Sequence, residues 1–237
     1  MQQTGERDGL VAQTAAPSAR AGMYLPLTMA PSTTSQRAFA SGLGGYDTAR
    51  KTARYLQTLD ATLIGPVAAR VTIEYGERAG TLRPGGGLRV QALSQERFGV
   101  DLTLAVMYRA EGFTQAEGEV EGTVALARHF GAWGVFANLV YGQDGEGKER
   151  DGELRLATLY ELGDLQLGVD TRARFDLGST ARPGKPKEPT FDAQSGALAM
   201  YAWGPVALLA NAGFSGVSLH GNFRSGFVAL AGLGGSI

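Results

Sequence analysis

Hydrolytic chemistry needs a nucleophile, a base and a group that orients the base, all within hydrogen-bond reach. The 237-residue chain offers two histidines for the base. His220 stands in SGVSLHGNFRSG between Ser218 and Asn222, the residue types of a Ser-His-Asn arrangement. Three side chains this close in one loop rarely converge, so the segment reads as a solvated loop. His129 falls in the tight turn of ARHFGAW and reads as an interfacial residue. Asp144, Glu146, Glu149 and Asp151 crowd QDGEGKERDG and are ligand types for a hard cation. Their spacing departs from the calcium loop D-x-[DN]-x-[DN]-G, and Lys148 and Arg150 compete for the carboxylates, so a solvated loop is expected. PGKPKEP is a stiff basic connector that lipopolysaccharide phosphate could meet. PGGG and GLGG lack the strand-to-helix setting of a phosphate loop. No catalytic residue, metal or cofactor is expected.

The charges that do carry a pattern alternate with apolar residues. In DLQLGVDTRARFDL one set is Leu165, Leu167, Val169, Thr171, Ala173, Phe175 and Leu177, and the other is Gln166, Gly168, Asp170, Arg172, Arg174 and Asp176. A strict period of two makes a strand with one greasy and one charged face. The same sorting gives Val67, Ala69, Val71, Ile73, Tyr75 against Ala68, Arg70, Thr72, Glu74, and Val100, Leu102, Leu104, Val106, Tyr108 against Asp101, Thr103, Ala105, Met107, Arg109. Trp133, Val135, Ala137, Leu139, Tyr141 form another apolar face, and Glu119, Glu121, Thr123 another polar one.

Stepping along the chain, strands are expected near 50–63, 67–76, 86–93, 99–110, 119–128, 133–142, 153–162, 165–177, 190–203, 206–215 and 223–236, with a further one near Met23 to Met29. Residues 1–20 are polar and aperiodic and read as a flexible tail before a single barrel over 21–237. YDTARKTARYLQTL suits an amphipathic helix as well as a strand. A strand turning at Gly65 sets Asp60 opposite Arg70 and Arg54 diagonal to Glu74, which favours the extended form. Short turns at 64–66, 94–98, 129–132, 163–164 and 204–205 alternate with long polar loops at 77–85, 111–118, 143–152, 178–189 and 216–222. That is an antiparallel up-and-down meander of about twelve strands with polarised ends, ten being the lower count.

Composition narrows the class. A net charge of −1 gives no field for nucleic acid, and the absence of cysteine excludes disulfides and thiolate chemistry. Glycine, at 35 residues, suits tight turns and crowded sheet faces. No apolar run reaches the length of a transmembrane helix, and MQQTGERDG shows no signal-peptide pattern. Parity alone leaves open whether the greasy faces point into a soluble core or out to lipid. Aromatic positions favour lipid. Tyr75, Tyr108, Tyr141, Phe175, Phe191, Phe214 and Phe227 lie on apolar faces at the long-loop ends, and Trp133, Tyr160, Tyr201 and Trp203 near the short-turn ends. Two girdles bracketing Val, Leu and Ala are what the two interfaces of a bilayer select. A strand rising ~3.3 Å per residue and tilted ~40° covers roughly 20 Å between Trp133 and Tyr141, near the ~25 Å apolar band of an outer membrane.

On these features the chain resembles the bacterial outer-membrane β-barrel superfamily over residues 50 to 237, by architecture rather than by a specific motif. FVALAGLGGSI keeps the alternation of a closing strand but finishes on Ile237, where such barrels typically finish on an aromatic. The resemblance implies an integral outer-membrane barrel in contact with lipid, and an interior lined by Arg70, Glu74, Arg89, Asp101, Arg109, Glu119, Glu121, Glu153, Arg155, Asp170, Arg172, Arg174 and Asp176. With both signs present, the expectation is a small pore for small polar solutes without strong ion selectivity. The alternatives are a closed structural or adhesive barrel, its charges forming a salt-bridged plug and its external loops doing the work, and a barrel enzyme.

Overall fold

A computed structural model describes residues 38–76, 82–113, 118–147, 149–179, 190–203, 206–219 and 221–236. The tail, the strand expected near Met23 to Met29, PGKPKEP and His220 lie outside the described residues.

Twelve antiparallel strands close into one barrel. They are β1 (Ala38–Asp47), β2 (Thr52–Ile64), β3 (Val67–Tyr75), β4 (Arg83–Leu93), β5 (Asp101–Ala110), β6 (Gly118–Phe130), β7 (Trp133–Asp144), β8 (Glu149–Leu162), β9 (Leu165–Ser179), β10 (Phe191–Trp203), β11 (Val206–Leu219) and β12 (Asn222–Ser236). Each strand pairs with its neighbours in sequence, and β1 closes on β12 with Leu43 opposite Gly232 and Asp47 opposite Val228. Closure leaves no strand edge, which a sheet in hydrocarbon requires because nothing there would pair an exposed amide. The β4–β5 connection holds one helical turn, α1 (Gln95–Phe98), stopped by Gly99 in the left-handed region at φ 76°.

The segment 46–63 is not helical but extended on either side of a turn at 48–51, and Asp60 stands opposite Arg70 as the sequence predicts. Arg54 lies diagonal to Glu74 in the β2–β3 register, as the sequence predicts, and its guanidinium binds Asp47 on β1 at 3.2 Å. β1 itself is not anticipated, since AFASGLGGYD alternates small residues that give little hydropathic signal. The loop expected over 216–222 is corrected, because β11 runs to Leu219 and pairs there with Asn222 at the start of β12. Strands β7 and β8 likewise extend into the acidic segment, putting Asp151 on a strand facing inward.

Parity is settled strand by strand. On β9, Leu167, Val169, Phe175 and Leu177 point outward, while Gln166, Asp170, Arg172 and Arg174 are buried inside. Trp133, Tyr141, Tyr108, Tyr160, Tyr201, Trp203, Phe214 and Phe227 are all exposed on the outer surface, and Tyr75 is half-buried there. Trp133 and Tyr160, a cross-strand pair, stack with ring centroids 4.9 Å apart.

Candidate functional site

The lumen is where the charges meet. Every predicted lining residue except the half-buried Asp176 is buried. Inward charges of opposite sign from the same and neighbouring strands lie within reach of one another, so the side chains bridge into networks.

Asp60 accepts two hydrogen bonds from Arg70, Nε at 3.0 Å and Nη2 at 3.1 Å, and Arg89 approaches the same carboxylate at 3.5 Å. The fork of a guanidinium matches a carboxylate in this way, which fixes both side chains against the wall. Next to it, Glu74 takes Arg83 and Arg109, each at 3.4 Å. Arg109 continues to Glu121 at 2.9 Å, and Arg83 to Glu119 at 3.9 Å. A third network runs over β8, β9 and β10, where Arg172 binds Asp192 at 2.6 Å and Glu153 at 3.4 Å, and Arg155 also pairs with Glu153. Arg174 stands opposite Glu153 in register, and its guanidinium binds Asp151 at 2.7 Å. Arg155 stands opposite Arg172 and diagonal to Asp170, and its guanidinium pairs with Glu153.

Asp101 sits at the short-turn rim, where its carboxylate accepts the Gln95 amide at 2.7 Å. Asp170 accepts Asn211 Nδ2 at 2.9 Å, and its second oxygen has no hydrogen-bond partner among the described residues. Both side-chain atoms of Asn138 and both of Gln194 are in the same condition, at 1% and 2% exposure. Toward the short-turn ends of β6 to β11 the filling changes character. Phe136, Leu159, Leu198, Met200 and Leu209 join Leu43, Leu56, Val228 and Leu230 in one apolar cluster.

Inward glycines make room for this filling. A Cβ on Gly142 would stand 2.9 Å from Asp151 Oδ1, and one on Gly168 would stand 2.8 Å from Leu159 Cδ2. At these two positions the missing side chain leaves room for Asp151 and Leu159.

Sequence reasoning missed Asp47, Arg50, Arg83, Asp151 and Asp192 as network members. Asp192 had a usable signal, because it lies directly opposite Arg174 in the β9–β10 register. Arg50 had none, since it lies in a turn. His129 donates its backbone N–H to Gln95 Oε1 and meets Phe136 edge-on at 5.4 Å, a structural placement at the rim.

A closed sheet with a greasy exterior and an ion-paired interior inverts the pattern of a soluble barrel and defines a transmembrane β-barrel. The fold is that of the bacterial outer-membrane β-barrel superfamily. It is similar to the solved NanC porin, at TM-score 0.62 and 9% identity over 84% of this chain and 100% of that one. It is also similar to an outer membrane channel from Pseudomonas putida F1, at 0.58 and 10% over 87% and 97%. LpxR from Salmonella typhimurium matches at 0.54 and 9% over 84% and 100%. No protein-family model and no curated protein matches the chain.

Proposed function

We propose that this protein is an integral outer-membrane channel for small polar solutes that is closed at rest by its own side chains. The closure is read from burial: Arg54, Arg172 and Glu74 are among the largest fully buried side chains of the chain, although they lie in the lumen. Residues bordering moving water would be wet.

The observation that carries the channel reading is the set of orphaned polar groups. The side-chain amides of Asn138 and Gln194 and one oxygen of Asp170 are buried with no hydrogen-bond partner among the described residues. Each such group costs about 1–3 kcal/mol relative to a hydrated one. A plug with only a structural role would be more stable with apolar side chains at those positions. Amides enclosed without a protein partner are groups that water, or a hydroxyl-bearing solute, in the lumen would satisfy. The porin and channel among the similar structures accord with this reading.

The second reading is a permanently closed barrel acting through its external connections, lipopolysaccharide being the nearest partner. The apolar cluster across the short-turn half favours it. Planar-bilayer recording separates the two. The channel reading expects long closed periods interrupted by small conductance steps that carry both cations and anions. A silent barrel at every potential, with correct insertion shown by its folded electrophoretic mobility, would leave the structural reading standing.

A further inference from the structure

The β1–β2 turn, residues 48–51, does not stand clear of the barrel but folds inward over the long-loop mouth. Four attachments hold it there, one at each step. Asp47 Oδ2 reaches past β12 to accept Ser215 Oγ of β11 at 2.9 Å. The Thr48 hydroxyl donates to the Phe227 carbonyl at 3.0 Å and accepts the Phe227 amide at 2.6 Å, while the Thr48 amide donates to the same carbonyl at 2.9 Å. Ala49, 4% exposed, lies on Gly226, where a Cβ would come within 3.0 Å of the Ala49 Cα. Arg50 then extends inward, bound to Asp47 at 3.6 Å and paired with Asp192 of β10. The turn closes on Lys51 at φ 56°, a left-handed conformation for a residue with a side chain.

The reach of Arg50 is what makes the turn more than a connector. From β1 the sheet runs through β12 and β11 to β10, so Asp192 is three strands away, roughly 14 Å along the wall at ~4.8 Å per strand. An ordinary hairpin turn binds its own two strands. This one is fastened to β10, β11 and β12 and spans that arc of the mouth. Gly226 is the saddle that lets the chain cross β12, since any side chain there would lift it.

From these contacts we infer that the β1–β2 turn is a lid on the lumen and that the Arg50–Asp192 pair is its latch. Releasing the latch uncovers the inward face of β10, where Gln194 lies two residues below Asp192 with its amide unpaired. Asp192 keeps Arg172 as a partner when Arg50 leaves, at 2.6 Å, so the open state does not strand a buried charge. This rests on the closed-lumen reading above and adds the moving part.

The chain lacks cysteine, so one introduced thiol reports on access without background. Gln194→Cys, refolded into vesicles, is treated with a charged, membrane-impermeant methanethiosulfonate. Glu146→Cys in the exposed β7–β8 turn gives the rate of an open site. The expected result is labelling of Gln194→Cys at least tenfold slower than Glu146→Cys, rising about tenfold when Arg50→Ala is added and staying slow with Arg50→Lys. Thr48→Val, which removes the hydroxyl contacts to Phe227, is expected to speed labelling as well, and it keeps the test alive if Arg50→Ala fails to fold. Slow labelling in every variant overturns the lid while leaving the lumen closed. Fast labelling in the parent Gln194→Cys overturns the closed lumen itself.

Discussion

Inside this barrel a residue's worth depends on whether its partner leaves with it. Arg172 lies between Asp192 and Glu153 and is fully buried. Arg172→Ala removes a guanidinium shared by two buried carboxylates, leaving Asp192 with Arg50 and Glu153 with Arg155, and the expected loss is about 1.5–3 kcal/mol. Asn138→Leu has the opposite sign. It removes two polar atoms that have no partner among the described residues and fills the same space with carbon, so stability is expected to rise by about 1–3 kcal/mol. Urea unfolding of the two variants in vesicles, against the parent, measures both. If Asn138→Leu also suppresses conductance steps, the enclosed amides belong to the opening transition. Loss of stability in Asn138→Leu would show that the amide is satisfied after all.

At the scale of the strand, the meaning of a position is set by its parity. Leu139 points outward in the middle of β7 while its neighbours Asn138 and Val140 are buried inside. Leu139→Arg puts a guanidinium into the apolar band, and such a change costs about 2–4 kcal/mol at the bilayer midplane and little near the interfaces. Leu162→Arg, at the short-turn end of β8 and also exposed, is therefore expected to cost under about 1 kcal/mol. Equal losses in folding free energy from lipid vesicles would contradict a lipid-facing exterior. Most strands could be found before the structure because both faces carry strong markers: Val, Leu and aromatics on one, Asp, Glu and Arg on the other. β1 escaped because Ala, Gly and Ser mark neither face. Its place is fixed instead by pairing on both sides, to β2 and to β12, which only ring closure supplies.

For the whole molecule, the outer surface decides the solvent. Leu59, Val71, Leu104, Val106, Leu126, Leu139, Leu156, Val169 and Leu208 are all more than one-third exposed on one continuous wall. An apolar belt of this extent is an association surface in water. The purified chain is expected to remain folded in detergent or vesicles and to aggregate on dilution into buffer. A monodisperse, folded species in buffer without detergent, by light scattering, would overturn the membrane assignment.

The sequence by itself determined most of the period-two strands and the side of each on which charge sits, because these are local properties of a pleated chain. It also determined cross-strand neighbours such as Asp60 with Arg70, since a tight turn sets the register of the hairpin it closes. Only the tertiary structure decided which face is inside, because alternation is the same for a soluble barrel and a membrane one until the sheet closes. Closure also brought a partner to Arg50, which reaches Asp192 three strands away, whereas Arg54 with Asp47 and Arg174 with Asp151 are diagonal neighbours on paired strands and answer to register. For the same reason the β1–β2 turn became visible as a lid only when β10, β11 and β12 stood beside it.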